Sequence, residues 1–351
     1  MKTLKINGMI ALSQFWPKGK SDADTTKIDF KVSSFGFNTD GGQTFRPTQA
    51  FVETEIKVRG QSKSVIKYEG QARQNISVRL QGIDAPELHY KIYSPSEIKE
   101  YNSNPVFKQL NGVEYRQFMA ETATVALANH LAPFADANGN IPCYFISYNL
   151  NEPKDVLDVY GRFVGDIFVE ATNENINHWL LKENWVMPAY YNSMLPAEIT
   201  TLDTLWGNGI SKNRISGQYT NRVGAFDFSL QFRSPETDPQ PNAEKDKGAV
   251  VFPKLYRRLC PYSIKKKAGI ENITFEQSLR DEDRSDRLVF TRDFLAQGGA
   301  APVLTLSKVF TNGKLEYQGH EVKPNEIIFI EKDSPNAKLL KKLTQVEVTT
   351  F

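Results

Sequence analysis

Several things this chain lacks narrow what it can be. It has two cysteines in 351 residues, Cys143 and Cys260, far apart and without a CxxC partner. A disulfide framework and a structural zinc site are therefore excluded, and two idle thiols in a reducing compartment are expected. Histidines number four and form no His/Cys cluster, which removes a zinc-centred catalyst. No apolar run approaches the length of a membrane span, so no membrane association is expected. The N-terminal stretch MKTLKINGMIALSQFWPKGK has lysines but no apolar core and no small-residue cleavage site. It does not read as a secretory signal, and the expected location is the cytoplasm, with signal-independent export left open. The charges nearly cancel, at +2, so any attraction to phosphate must come from local clusters. The glycine-rich NTDGGQT at 38–44 lacks the GK[ST] ending and following helix of a phosphate-binding loop.

What is present reads as α+β. The 40% apolar content and the length support a sizeable core without staples. Strands are expected over 3–15, 25–33, 76–83, 140–149 and 160–170. In the second of these, Ile28, Phe30 and Val32 alternate with polar neighbours. A hairpin is expected over 51–60 and 63–70. Helices are expected over 113–132, with Phe118, Met119, Val125 and Ala126 on one face, and over 173–186 and 196–210. Trp179 and Trp185 in the second helix read as core packing. Five strands curling into a small barrel, with three helices grouped against them, give an OB-type architecture.

The stretch 234–248, SPETDPQPNAEKDKG, is proline-rich and charged, and reads as a linker. It would separate a first domain, 1–233, from a small C-terminal α+β domain, 249–351. The latter opens on the basic PKLYRRLCPYSIKKK (253–267) and carries a hairpin signal at VFTNGKLEY, where Asn312-Gly313 suits a type I′ turn.

Acidic residues gather near strand ends. Asp22 and Asp24 precede one strand; Asp84 and Glu87 follow another, split by Pro86. If those strands are barrel neighbours, both groups meet at one rim. Clustered carboxylates repel unless a cation lies among them, and oxygen donors suit calcium or magnesium. One acid could remain to take a proton from water. Two arginines accompany them: Arg79, within the strand that leads to Asp84, and Arg162, after a Tyr-Gly turn. A guanidinium fork suits bidentate phosphate binding. A metal, a base and two guanidiniums make up the equipment for phosphodiester hydrolysis. Each residue alone has a structural alternative: Asp22 and Asp24 as turn formers, Asp84 to Glu87 as a strand-ending turn, the arginines as cross-strand ion pairs.

The order of these elements resembles the staphylococcal nuclease (thermonuclease) family. DADT is Asp22–Thr25, RLQGIDAPE is Arg79–Glu87, DVYGR is Asp158–Arg162, NHWL is Asn177–Leu180, and Ala189-Tyr190 follows. The resemblance covers about residues 1–215. It implies side-chain metal ligands at Asp24 and Asp84, a backbone carbonyl ligand at Ala85, and Asp22 as an acid behind them. It implies Glu87 as general base, Arg79 and Arg162 as the phosphate clamp, and Tyr160 and Tyr190 lining a nucleotide pocket. The implied activity is that of a hydrolase: endonucleolytic cleavage of DNA and/or RNA, leaving 3′-phosphates, with calcium, or with magnesium or manganese in its place.

The chain departs from that pattern by insertions at 34–74 and 91–110. Lys57, Arg59, Lys63, Lys67 and Arg73 make the first a basic ribbon or simply a solvated hairpin. His89 lies two residues after Glu87 and is expected to face solvent. The C-terminal domain is expected to target the catalytic one, through a protein partner or through bases stacked on Tyr256 and Tyr262. The rival reading is a nucleic-acid or protein-binding module with a relict site. Glu87 and both arginines, which a binder does not need, count against it.

Overall fold

The alternating strands close into a barrel. In the computed structural model, the described residues are 2–31, 36–39, 44–47, 50–58, 61–69, 75–92, 113–150, 156, 158, 162–222, 228, 230–232, 248–269, 271–280, 286–331 and 348–350. Strands β1 (Lys2–Ala11), β2 (Thr25–Phe30), β3 (Ile76–Leu80), β4 (Asn140–Leu150) and β5 (Phe163–Val169) form a ring. β1 pairs antiparallel with β2 and with β4, β2 antiparallel with β3, β3 parallel with β5, and β5 antiparallel with β4. Within the ring every barrel strand thus has two neighbours, and the ring leaves no strand edge unpaired.

Period-2 burial explains the interior. In β3, Ile76, Val78 and Leu80 are buried while Ser77 and Arg79 are half-buried on the other face. In β2, Ile28 and Phe30 point inward with Thr26. Phe30, Phe145 and Phe163 meet with ring centroids 5.7–5.9 Å apart, one ring from each of three strands. Burying such rings adds a large apolar area to this core, beside aliphatic side chains such as Leu4, Ile6, Ile28 and Val78. The expected 51–60 and 63–70 hairpin is present as Ala50–Val58 paired with Gln61–Glu69. Strand Gly36–Thr39, also within the first insertion, pairs with β1 outside the ring. The side chains of the basic ribbon, most of the 91–110 insertion, the 234–247 stretch and Tyr160 lie outside the described residues.

Helices are α1 (Ala120–Leu131), α2 (Ile176–Lys182), α3 (Pro196–Gly209) and α4 (Pro253–Lys267), with shorter turns at Ile215–Gln218, Phe275–Leu279 and Thr291–Gln297. Among the described residues no helix is long and apolar enough to cross a membrane. α1 begins seven residues later than expected. Met119 takes a left-handed φ of 69°, and Tyr115 is bridged to Tyr90 in extended form. Its buried face is Ala120, Ala123, Leu127 and Leu131, not the face through Val125 and Ala126. α2 is shorter than the expected 173–186. Asn173 and Asn184, both left-handed, bracket it. The two tryptophans expected in the core are only half-buried: Trp179 stacks on His130 at 3.8 Å, and the Arg214 guanidinium lies 4.4 Å from the Trp185 ring. Trp16 and Trp206 are the buried ones.

Contacts group the chain into two units: Met1–Ile83 with Leu127–Leu180 and Lys332–Phe351, and Asp84–Ala126 with Leu181–Glu331. The first holds the barrel. In the second, residues 249–331 group with the segment after Asp84. α4 buries Leu255, Tyr256, Leu259, Cys260 and Ile264. Tyr90 donates to the Arg257 carbonyl at 2.8 Å and meets Tyr256 edge-on, and Gln117 donates to the Val251 carbonyl at 2.9 Å. Strand Ile327–Phe329 pairs with Tyr190–Tyr191 and with Arg287–Phe290. The expected hairpin is Phe310–Thr311 with Lys314–Tyr317, and Asn312 and Gly313 have φ of 51° and 74°, as a type I′ turn requires.

Candidate functional site

The expected site residues fall in both units. In the barrel unit, Asp22 folds the turn that leads into β2. Its Oδ1 accepts from the backbone N–H of Thr25 at 2.7 Å and of Asp24 at 3.3 Å. This is the local side-chain-to-backbone bonding that makes Asp a turn former. The turn presents Asp24 and Thr25 side by side, and the Thr25 hydroxyl donates to Asp24 Oδ1 at 2.9 Å.

Thr25 is the register partner of Arg79, and Arg79 is in turn the partner of Val164 on β5. Strand alternation puts Arg79 on the face away from the apolar interior. There it forms an ion pair with Asp24, and its side chain is 12% exposed. Its second terminal nitrogen donates to the Ile83 carbonyl at 3.0 Å. Arg162, immediately before β5, donates from Nη1 to the Thr25 hydroxyl at 3.3 Å and from Nε to Asp158 at 2.7 Å. Asp158 Oδ1 also accepts the Arg162 backbone N–H, so this loop clamps its own arginine. Two guanidiniums from neighbouring strands are therefore joined through the Asp24–Thr25 pair at one end of the barrel. A buried arginine needs such a partner, because an unpaired buried charge is costly.

Behind this end lies Asn177 of α2, fully buried. Its Nδ2 donates to the Gln81 carbonyl at 3.0 Å and to Asp166 Oδ1 at 2.8 Å. Its Oδ1 accepts from the Ile167 N–H. Asn177 thus ties the turn after β3, the strand that carries Arg79, to β5, the strand that Arg162 precedes.

In the second unit, Asp84 is fully buried and Glu87 lies three residues on, past Ala85 and Pro86. Gln117 fixes the Glu87 backbone from both sides: its side-chain oxygen accepts the Glu87 N–H at 3.2 Å, and its own N–H donates to the Glu87 carbonyl at 2.6 Å. Arg257 of α4 donates from Nε to Glu87 and forms an ion pair with it; its Nη2 lies 3.4 Å from Asp84 Oδ1. One guanidinium thus spans both carboxylates. His89 does not face solvent. Its Nδ1 is 2.9 Å from Glu114, and its ring lies 4.3 Å from that of Phe232. Tyr190 is also buried, and its hydroxyl has no hydrogen-bond partner among the described residues. Burial first, and then Asp203, pushes that phenol well above its ordinary range.

Arg257 and Gln117 are the two site residues that sequence reasoning missed. Arg257 lay within a basic segment that was legible as such, but nothing in the spacing pairs it with an acid 170 residues earlier.

The donors Asp24, Asp84, Glu87 and the Ala85 carbonyl are all hard oxygens, which in kind fit calcium, magnesium or manganese. Each carboxylate among them is already matched by an arginine. Among the described residues no three His, Cys, Asp or Glu side chains gather as a metal cluster. The scan against protein-family models finds no match, and neither does the search of curated proteins.

Proposed function

We propose that this chain is a metal-dependent phosphodiesterase of the staphylococcal nuclease type, an endonuclease that cuts DNA or RNA. The observation that carries the reading is the pairing of Arg79 and Arg162 through Asp24 and Thr25 at one barrel end. Two planar donors held a strand apart match the several oxygens of a phosphodiester, and their charge opposes that developing during transfer. Glu87 is assigned the proton of the attacking water. The water oxygen bonds to phosphorus and the P–O5′ bond breaks. The 5′ oxygen leaves as a hydroxyl on taking a proton from solvent, and a 3′-phosphate remains. Asp24, Asp84 and the Ala85 carbonyl are the assigned ligands of a hard divalent cation, which when bound supplies Lewis-acid polarisation of the phosphoryl group. The two unlinked cysteines support a reducing compartment such as the cytoplasm.

One observation favours a second reading, a binding module on the same fold: Arg257 neutralises both Glu87 and Asp84. The test is cleavage of single-stranded DNA, duplex DNA and RNA by the full chain with calcium, magnesium or EDTA. The expected result is metal-dependent cleavage that Glu87→Gln lowers about a hundredfold or more. Binding without cleavage under every metal would select the module instead.

A further inference from the structure

The two carboxylates of the second unit and the cation that meets them are held differently. Asp84 is fully buried, and Gln117 holds the Glu87 backbone from both sides. Acids kept this far from water need a cation beside them. Arg257 supplies one: its Nε donates to Glu87, and its Nη2 lies 3.4 Å from Asp84 Oδ1. That guanidinium does not depend on the acids in return. Its side chain is 34% exposed, against 14% for Glu87, so it can turn to water without stranding a buried charge. It also lines a cleft of about 160 Å³ on α4, whose wall includes Glu271 with Arg258 and Lys265. A displaced guanidinium thus has open room and a carboxylate in the wall of that room.

We infer that Arg257 is an autoinhibitory side chain: it competes with the divalent cation for Asp84 and Glu87 and sets the metal concentration at which the site switches on. The inference rests on the nuclease reading above and adds its regulation. α4 keeps the competitor at hand. Tyr90 donates to the Arg257 carbonyl at 2.8 Å, and the buried Leu255, Tyr256, Leu259 and Cys260 fasten the helix to the core. The switch is then the rotation of one side chain on a fixed backbone, not the departure of a helix. While Arg257 is on the acids, Glu87 is engaged by a guanidinium and is a weaker base toward water. Asp84 shares the same cation and is a weaker metal ligand. A divalent cation carries twice the charge of a guanidinium in a smaller volume, so it takes the carboxylates once its concentration is high enough. The apparent metal affinity is the intrinsic one reduced by the fraction of chains in which Arg257 has already turned away.

The test is calorimetric titration of calcium chloride into the metal-free full chain, for wild type, Arg257→Gln, Arg257→Lys and Arg258→Gln. Cleavage of single-stranded DNA is measured over the same calcium range. Arg257→Gln binds calcium about tenfold to a hundredfold more tightly than wild type, the range of a lost charge-assisted contact. Its cleavage begins at a calcium concentration lower by the same factor. Arg257→Lys, whose point charge cannot fork across both acids, falls between the two. Arg258→Gln removes the same charge one residue along and leaves the acids' partner in place, so its calcium affinity stays within about threefold of wild type. Wild type gives a second readout. The Arg257 Nε–H signal in heteronuclear NMR, assigned by its absence in Arg257→Lys, moves to the position of a free arginine as calcium is added. Thermal melts identify any variant that fails to fold, and if Arg257→Gln is one, that signal decides the question. Folded Arg257→Gln with wild-type calcium affinity overturns the competition, as does an Arg257 signal that saturating calcium leaves in place, or an equal gain in Arg258→Gln. In each of these cases metal-dependent cleavage by wild type leaves the nuclease standing. If neither wild type nor Arg257→Gln binds calcium, magnesium or manganese, the nuclease reading sinks and the inference with it. Tighter calcium in Arg257→Gln without cleavage by either chain sinks the nuclease reading alone and leaves a metal site that Arg257 controls.

Discussion

Asn177→Ala should loosen the barrel where the strand that carries Arg79 meets the strand that Arg162 precedes. The side chain is fully buried and donates to Asp166 at 2.8 Å and to the Gln81 carbonyl at 3.0 Å, with a longer contact to Gly165 O at 3.3 Å. A hydrogen bond to a charged group contributes about 1.5–3 kcal/mol and a neutral one about 0.5–1.5 kcal/mol. Asp166 keeps its 2.8 Å bond from Asn175, so its charge is not wholly abandoned. The Gln81 carbonyl loses its side-chain donor. The sum is about 3 kcal/mol, a large part of the roughly 5–15 kcal/mol that holds a domain together. Native-state hydrogen exchange reads this strand by strand. Amides of Ile76–Leu80 and Phe163–Val169 should exchange more than about a hundredfold faster in the variant, because each 1.4 kcal/mol is about tenfold. Asn177→Asp, which sets a second carboxylate against Asp166, should be worse at neutral pH. Acceleration below about threefold in Asn177→Ala would refute the argument that this side chain locks the two strands.

Three further outcomes follow from separate features. Gly165→Ala should cost about 1–3 kcal/mol, since an added Cβ would sit 2.3 Å from the Ile146 carbonyl, a backbone atom held in the β4–β5 ladder, and a normal urea midpoint would contradict this. Lys254 is lowered from 10.5 to about 8, chiefly by burial, with its ammonium 4.0 Å from the Phe329 ring centroid. Its native pKa lies below its unfolded one, so unfolding takes up a proton between those values, and stability from this group rises with pH from about 8 to about 10.5. Below about 8 the penalty is constant and fully present. Lys254→Met should remove that rise, read as the difference between variant and wild type in urea unfolding at pH 7.5 and 9.5; equal slopes would refute it. Neither cysteine should react with a thiol reagent until the chain unfolds, because both are fully buried and burial pushes the Cys143 thiol up to about 12. Release of two equivalents in urea and none without it is the expected count.

The barrel was legible because its strands alternate. Ile28 and Phe30, or Ile76, Val78 and Leu80, state their inward face in the residue order alone, and a one-residue slip would turn them all outward. Helix ends were less legible. Met119 in a left-handed conformation starts α1 late, and no propensity marks a methionine for that role. The bracketing of α2 by Asn173 and Asn184 is a weak signal that a longer amphipathic pattern overrode. The half-buried Trp179 shows the limit of periodicity: helical spacing gives a face, while the His130 ring stacked on it comes from α1, far off in sequence.

The arginine at the carboxylates shows where residue order stops informing. Asp84 and Glu87 sit close in sequence, and their need for a cation could be read from that spacing. Which cation meets it is a tertiary fact. A metal ion leaves no trace in the sequence, and Arg257 is one of several basic residues on α4. Helical geometry chooses among them. Leu255, Tyr256, Leu259 and Cys260 go to the core, and that orientation leaves Arg257 and Arg258 at the margin of the buried face. Tyr90 then pins the Arg257 carbonyl at 2.8 Å, and with the backbone fixed the guanidinium reaches Glu87. The packing of α4 thus decides what neutralises the acids, and through the same residue it joins them to the cleft that Arg258 and Lys265 line.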